Sequence, residues 1–350
     1  MTSKIKRYLL ALMVCLLTLP SSMMAQGGEQ GFLFLNLPNS ARHAALGGGG
    51  VALYDADLSF ALYNPAVLSE KSHNVLALNY SNYLTDVNIG SAVYARTIGS
   101  TKNHLAWGVN FLDYGKFQRV SAEDLLLGSF SAKDIALNIL YSRDIAPCLS
   151  AGVNLKPFFS FYDRYHAGGM AVDLGMNLHL DKAYFSAGLA VRNIGWQFGG
   201  FHSKDGVTAR EALPLDIQLG ISQRFPHAPI RLSLTLHNLQ KWRLSPERAA
   251  SSSTFINEET KIGVGDMLFR HTIWNVEILP TDYLHFIVSY NHRRHAEMRY
   301  LGVKSLAGFS VGAGFKVQNI SVDLGIASYQ VGSMSYNVSI AFGLSDWGVR

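Results

Sequence analysis

Few residues in this chain stand together in a pattern that could do chemistry. The densest group is His285, His292 and His295 with Arg293 and Arg294. Two histidines three apart could ligate a metal, but a closed site wants further ligands that nothing nearby supplies, so a solvated basic loop is expected. A minority reading gives its arginines to the phosphates of lipopolysaccharide, which suit bidentate contacts. Gly47, Gly48, Gly49 and Gly50 suggest a phosphate loop by composition alone. No Lys-Ser/Thr follows them and no strand–loop–helix frame surrounds them, so hatch flexibility is the better reading. Asn64-Pro65-Ala66 echoes a water-channel tripeptide, but a single copy reads better as a turn. Asp173 and Asp216 fall on different strands with no base or nucleophile beside them. Cys148 opens a strand, and there is no G-x-S-x-G elbow. The expectation is a protein that is not an enzyme and holds no cofactor and no metal.

The stretch that needs placing is Phe32 to Leu68, which is apolar yet neither strand-like nor a good helix. Its four glycines admit φ > 0 at little steric cost, and Asn64-Pro65 breaks the chain again. So apolar an irregular segment must be buried, and residues 26–70 are read as an N-terminal hatch inside a barrel. The hatch candidates are Arg42, Gly47 to Gly50, Asp55, Asp57, Asn64 and Pro65. Asp55 and Asp57 are expected to pair with lumen arginines such as Arg192 or Arg231, and Arg42 with lumen acids.

From residue 71 to 350 the chain alternates apolar and polar with a period of two. Met170, Val172, Leu174 and Met176 oppose Ala171, Asp173, Gly175 and Asn177. Leu232, Leu234 and Leu236 oppose Ser233, Thr235 and His237. About fourteen such strands of roughly 9–12 residues suit an all-β, antiparallel transmembrane barrel. They are expected to start near Asn74, Val87, Asn103, Ser129, Cys148, Gly169, Ala183, Pro214, Ile230, Phe269, Leu284, Ala307, Ser321 and Met334. Short turns alternate with longer links, mostly as bacterial barrels place periplasmic turns and external loops. That phase puts both mature termini in the periplasm, with the hatch entering from that side. The composition agrees, being 48% hydrophobic and only 16% charged without a second long apolar run; soluble domains carry about a quarter charged residues.

Residues 1–25 read as a secretory signal, with Lys4, Lys6 and Arg7 before an apolar core and a cut near Ala25. Removing these three charges takes the formal net charge from +5 to +2, a balance that gives nucleic-acid binding no support. Cys15 leaves with the signal, so Cys148 stands alone without an internal disulfide.

Several segments also resemble a known family. NLPNSARHAALGGGGVALYDAD, YNPAVL, NYSNYLTDVNIGS, LDYGKF, FSAKDIALN, VRNIG and APIRLSLTLHNLQKW are similar to the PorV/PorQ branch of FadL-like outer-membrane barrels, PorQ-like members above all. The resemblance covers nearly all of the mature chain. It implies a fourteen-stranded barrel with a hatch, in the type IX secretion system of Bacteroidetes. It also implies a surface attachment complex with PorU-like, PorV-like and PorZ-like partners, which processes secreted cargo and joins it to lipopolysaccharide. Outer-membrane lipid would surround it.

The first functional expectation is therefore a non-enzymatic anchor for that complex. The alternative is a FadL-like transporter of hydrophobic small molecules; a barrel enzyme comes last. For an anchor the docking surface must protrude, and the longest link, Gln240 to Leu268, offers Trp242, Leu244, Phe255 and Ile256 as apolar anchors.

Overall fold

A computed structural model describes residues 31–55, 57–99, 102–121, 126–198, 201–202, 208–209, 211–244, 263–298, 305–330 and 332–345. The expected signal therefore lies outside the described residues. Among those described, fourteen strands close into an antiparallel barrel. The first seven are β1 (Val75–Leu84), β2 (Val87–Thr97), β3 (Asn103–Val120), β4 (Leu126–Ala146), β5 (Leu149–Tyr162), β6 (Tyr165–Leu180) and β7 (Phe185–Gln197). A short ladder, β8 (Phe201–His202) with β9 (Thr208–Ala209), sits in the next link. The wall resumes with β10 (Asp216–Arg224), β11 (Ile230–Leu236), β12 (Thr272–Thr281), β13 (Leu284–Asn291), β14 (Phe309–Val317), β15 (Ile320–Gln330) and β16 (Ser333–Gly343). Each wall strand pairs with the wall strands before and after it, β7 with β10 across the β8–β9 link, and β1 pairs with β16 to close the seam.

Period-two alternation explains the wall, because every second side chain meets the lumen and the others meet lipid. Two expected boundaries move. Gly115 to Gly128 is not a loop, since β3 runs on to Val120 and β4 begins at Leu126. Both glycines sit beside register shifts with φ of 82° and 120°, so they mark bulges within strands rather than strand ends. Ahead of β12, residues Val264–Arg270 form helix α2, not the start of a strand at Phe269. Helix numbering begins with α1 (Ala41–Ala45) in the inner segment, and α3 (His292–Glu297) follows β13.

The register also locates the lipid boundary. Asn82, Asn88, Asp113 and Lys133 are cross-strand partners on the outward face of β1 to β4. The next outward row toward the middle is Tyr80, Gly90, Phe111, Ile135 and Phe159. The apolar band ends at the other side near Asn103 and its partner Arg143. From Asn103 to Asp113 the strand rises about 33 Å at about 3.3 Å per residue. At a tilt of about 40° that is about 25 Å of membrane, the height expected of a barrel band.

Residues 31–55 and 57–73 lie inside this wall. The Ala41 amide donates to Ser339 Oγ of β16 at 2.7 Å, the Gly50 amide to Thr235 Oγ1 of β11 at 3.0 Å, and Ser150 Oγ of β5 donates to the Ala66 carbonyl at 2.6 Å. The approach is close enough to demand glycine on the wall. A Cβ at Gly325 would sit 2.3 Å from the Ala41 carbonyl oxygen, and one at Gly188 would sit 2.3 Å from that of Val51. The segment runs the length of the lumen. Gly31 donates its amide to Ala212 beside the long links, whereas Ser72 leads into β1 at the short-turn end. This corrects the expectation that the hatch enters from the short-turn side.

The boundary row yields a prediction. Leu137 pairs with Val109 near mid-band and Ser131 lies beyond the row. Leu137→Arg should destabilise the barrel by about 2–4 kcal/mol, and Ser131→Arg by about 0–1 kcal/mol. Urea unfolding in lipid vesicles measures both, and equal losses would place the boundary elsewhere.

Candidate functional site

The lumen site is assembled by the inner segment. Ser40 caps α1, its Oγ accepting from the His43 amide at 3.3 Å, which turns Arg42 toward the wall. The glycines then end the helix. Gly47 and Gly48 have φ of 66° and 87° and return their amides to Ala44 and His43, a left-handed cap. Gly50 repeats φ > 0 at 103° with its amide on Thr235. They are a fixed turn, not a flexible run. Asn64 holds the far end: its Nδ2 donates to the Val51 carbonyl at 2.8 Å, and its Oδ1 accepts from the Ala66 amide at 3.1 Å across Pro65.

Arg42 is the centre of a buried charge cluster. Its guanidinium lies 2.6 Å from Asp55 Oδ2, 2.9 Å from Glu277 Oε1 of β12 and 3.5 Å from Asp57 Oδ2. Arg231 of β11 completes it, 2.5 Å from Glu277 Oε2 and 3.3 Å from Asp55 Oδ2. Arg231 thus meets Asp55 as expected. Arg192 does not; it donates to the Leu35 carbonyl at 3.1 Å and stacks over Tyr63. Asp173 pairs with Lys156 at 2.8 Å, while Asp216 accepts from Gln218 and the Asn238 amide. Lys156, Asn193 and Glu277 escaped the sequence reading. The signal available was parity, since Glu277 shares an inward face with Ile273 and Asn275.

Two arginines against three carboxylates leave Asp57 short of positive charge. Burial raises its carboxyl, Arg42 opposes, and Asp323 and Asp55 add to the rise, to about 6. Asp55 is partly buried too, but Arg42 and Arg231 win and hold it well below the usual carboxylate range. A cavity of about 440 Å³ opens beside the cluster at the short-turn mouth, lined by Arg42, Asp57, Arg231, His285 and Asp323 among others.

The basic group read from the sequence is divided. His285 is the second residue of β13, at the short-turn mouth, with Nε2 2.9 Å from Asp323 Oδ1. His292, Arg293, Arg294 and His295 belong to α3 at the other end. There His292 meets Asp266 at 2.9 Å, Arg293 meets Glu297 at 2.8 Å, and Arg294 lies over Tyr329. This is a partnered helix, not a solvated loop. Of the docking candidates, Trp242 is exposed and stacks on His271. Leu244 is buried and its amide donates to Met267 Sδ of α2, so it secures the base of the link and offers no docking anchor. Phe255 and Ile256 lie outside the described residues.

Neither a protein-family model nor a curated protein sequence matches the chain. Solved structures do. The ΔS2S3 mutant of the monoaromatic hydrocarbon channel TodX aligns with TM-score 0.53 and 11% identity, over 87% of this chain and 98% of its own. The Pseudomonas putida toluene transporter TodX aligns at 0.51 and 12%, over 87% and 97%. The Ralstonia pickettii toluene transporter TbuX aligns at 0.50 and 12%, over 88% and 97%. The closed antiparallel barrel described above is the fold that the chain shares with these proteins. At such identities the likeness extends to the fold alone, and all three are channels or transporters rather than enzymes.

Two outcomes follow from the charge cluster. Arg42→Met leaves Asp57 without a cation and Glu277 and Asp55 with Arg231 alone, and should cost about 3–5 kcal/mol, the usual loss when one partner of a buried ion pair is removed. Unfolding in vesicles measures it. Asp57 has the opposite sense. Between pH 3.8 and about 6 the folded chain keeps a proton that the unfolded chain has lost, so stability falls as pH rises through that window. Asp57→Asn should remove this slope while leaving Asp55 to lose stability below it. A stability–pH curve identical to that of the parent would show that Asp57 does not carry the slope.

Proposed function

We propose that the chain is a non-catalytic outer-membrane barrel stoppered by its own N-terminal segment, residues 31–73 acting as the hatch. The observation that carries this reading is the filling of the lumen. Leu46, Leu53, Leu58 and Phe60 are each at most 2% accessible, which leaves no water-sized space beside them. They pack on Val93, Ala106, Leu140 and Ile287 of the wall.

The likeness to TodX and TbuX favours one use of such a barrel, the passage of a hydrophobic small molecule. In that use the Arg42 cluster is the lock, and the apolar inner core becomes the path when the segment shifts. A second reading, anchoring a type IX surface complex with PorZ-like, PorU-like and PorV-like partners, is favoured by that same dense packing together with the charged lining of the cavity. A transporter of apolar molecules uses apolar space, and here that space is filled.

Deleting Gly27 to Ser69 should leave a barrel that inserts and conducts ions in planar bilayers, where the full chain is silent. A silent truncated barrel would remove the case for a stopper. For passage, cells carrying the full chain should take up 1-N-phenylnaphthylamine faster than cells lacking it. Equal uptake, with secreted cargo lost from the surface of the lacking cells, transfers the assignment to anchoring.

A further inference from the structure

The β3–β4 hairpin outgrows its barrel. Its last partner on the β2 side is Asn88 against Asp113, and on the β5 side Tyr162 against Ala132. Beyond these pairs the backbone ladder joins β3 and β4 to each other alone among the described residues, from Lys116 with Ser131 to Val120 with Leu126, and a side-chain ion pair from Arg119 to Asp163 braces the hairpin against the β5–β6 turn. The hairpin lies past the polar row of Asn82, Asn88, Asp113 and Lys133, so it stands outside the membrane band. Its faces agree. The register puts Lys116, Gln118, Ser129 and Ser131 on the side continuous with the lipid face, where a bilayer would want apolar residues, and Val120 and Leu126 join that side only at the far end.

Apolar side chains are nevertheless exposed here in water. Leu126, Leu127 and Val120 are 69%, 59% and 49% accessible, and Phe117 stacks on Phe130 with ring centroids 5.3 Å apart. The base is held rigidly, since Tyr114 and Tyr162 both donate to the Asp134 carboxylate. A two-stranded ribbon is marginal in water unless something packs on it. Sheet edges left open usually carry charge or proline. The β4 edge from Leu126 to Ser131 carries neither. The β3 edge is blunted instead, because the Gly115 amide turns back onto Asp113 Oδ1 at 2.9 Å.

We infer that the β4 edge of this ribbon is a docking site for an extended segment of another protein. The segment adds as a strand along Gly128–Ser131, the bulge at Leu127 ending the ladder, with Leu126, Leu127 and Val120 as apolar anchors. Strand addition supplies main-chain hydrogen bonds together with pockets for alternate side chains. Aliphatic anchors offer nothing to a glycan or a phosphate, and the four polar residues that separate Val120 and Leu126 from the membrane band oppose lipid. The inference deepens the anchoring reading. A chain that passes the hydrophobic probe and also docks a segment keeps this site while returning that reading to transport.

The test uses the full chain in native outer membranes with p-benzoylphenylalanine in place of Ser129. Light should give one protein adduct, absent when the cross-linker replaces lipid-facing Leu137. The adduct should fall at least tenfold when Leu126→Asn and Leu127→Asn are added and heat-modifiable migration is unchanged. Where the double variant does not assemble, Leu127→Asn alone replaces it. In a Cys148→Ser background, bimane on Leu127→Cys should emit as a water-exposed dye in vesicles of outer-membrane lipid. A buried bimane signal, an adduct with a second copy of this chain, an adduct indifferent to the asparagines, or no adduct would each overturn the inference.

Discussion

Arg42 is the constraint on which the rest of the lumen depends. A guanidinium cannot be carried into a buried space without carboxylates to meet it, and Arg42 takes them from two sources. Asp55 and Asp57 come from its own segment, whereas Glu277 comes from the wall. The cluster therefore fixes how the inner segment stands relative to β11 and β12, and it does so through charges that tolerate no slippage. The wall accommodates the result with small inward residues. Gly325 and Gly188 admit the backbone itself, while Ser339 and Thr235 satisfy amides that the irregular segment leaves open.

Charge and apolar packing divide the lumen between them. The upper part of the segment is held by Arg192 on the Leu35 carbonyl and by the Asn36–Asn193 contact. The apolar residues from Leu46 to Leu68 fill the middle. The charge cluster closes the short-turn mouth, where the cavity begins. Breaking a buried ion pair is costly, but forming one contributes little net stability. The apolar residues hold the segment in place and the charges set its register.

Most of the wall was legible in the sequence because a strand facing lipid on one side and the lumen on the other writes a period of two. All fourteen strands lie within a few residues of their expected starts, and the ends misplaced in the β3–β4 hairpin share one cause. Gly115 and Gly128 look like breakers, yet in a ribbon with an open edge a glycine makes a bulge and the strand continues. Leu244 and Trp242 were indistinguishable as apolar loop residues, and only the packing of α2 separates the buried one from the exposed one. The inner segment was legible as buried but not in its direction, because an irregular chain carries no periodicity to orient it. Its partners were half legible: opposite charges predict pairing, but which of Arg192 and Arg231 reaches Asp55 depends on distances across the lumen.

The seam of the barrel lies between β1 and β16, and the inner segment touches both sides of it. Ser59 Oγ meets Asn79 of β1, and the Ala41 amide meets Ser339 of β16. Pairing strands from opposite ends of a chain is slow, since the loop that brings them together is the whole domain. Here the first strand and the last are each tied to one short stretch threaded between them. That stretch is a brace across the join, so the two ends of the sheet are held by side chains from within as well as by their own ladder.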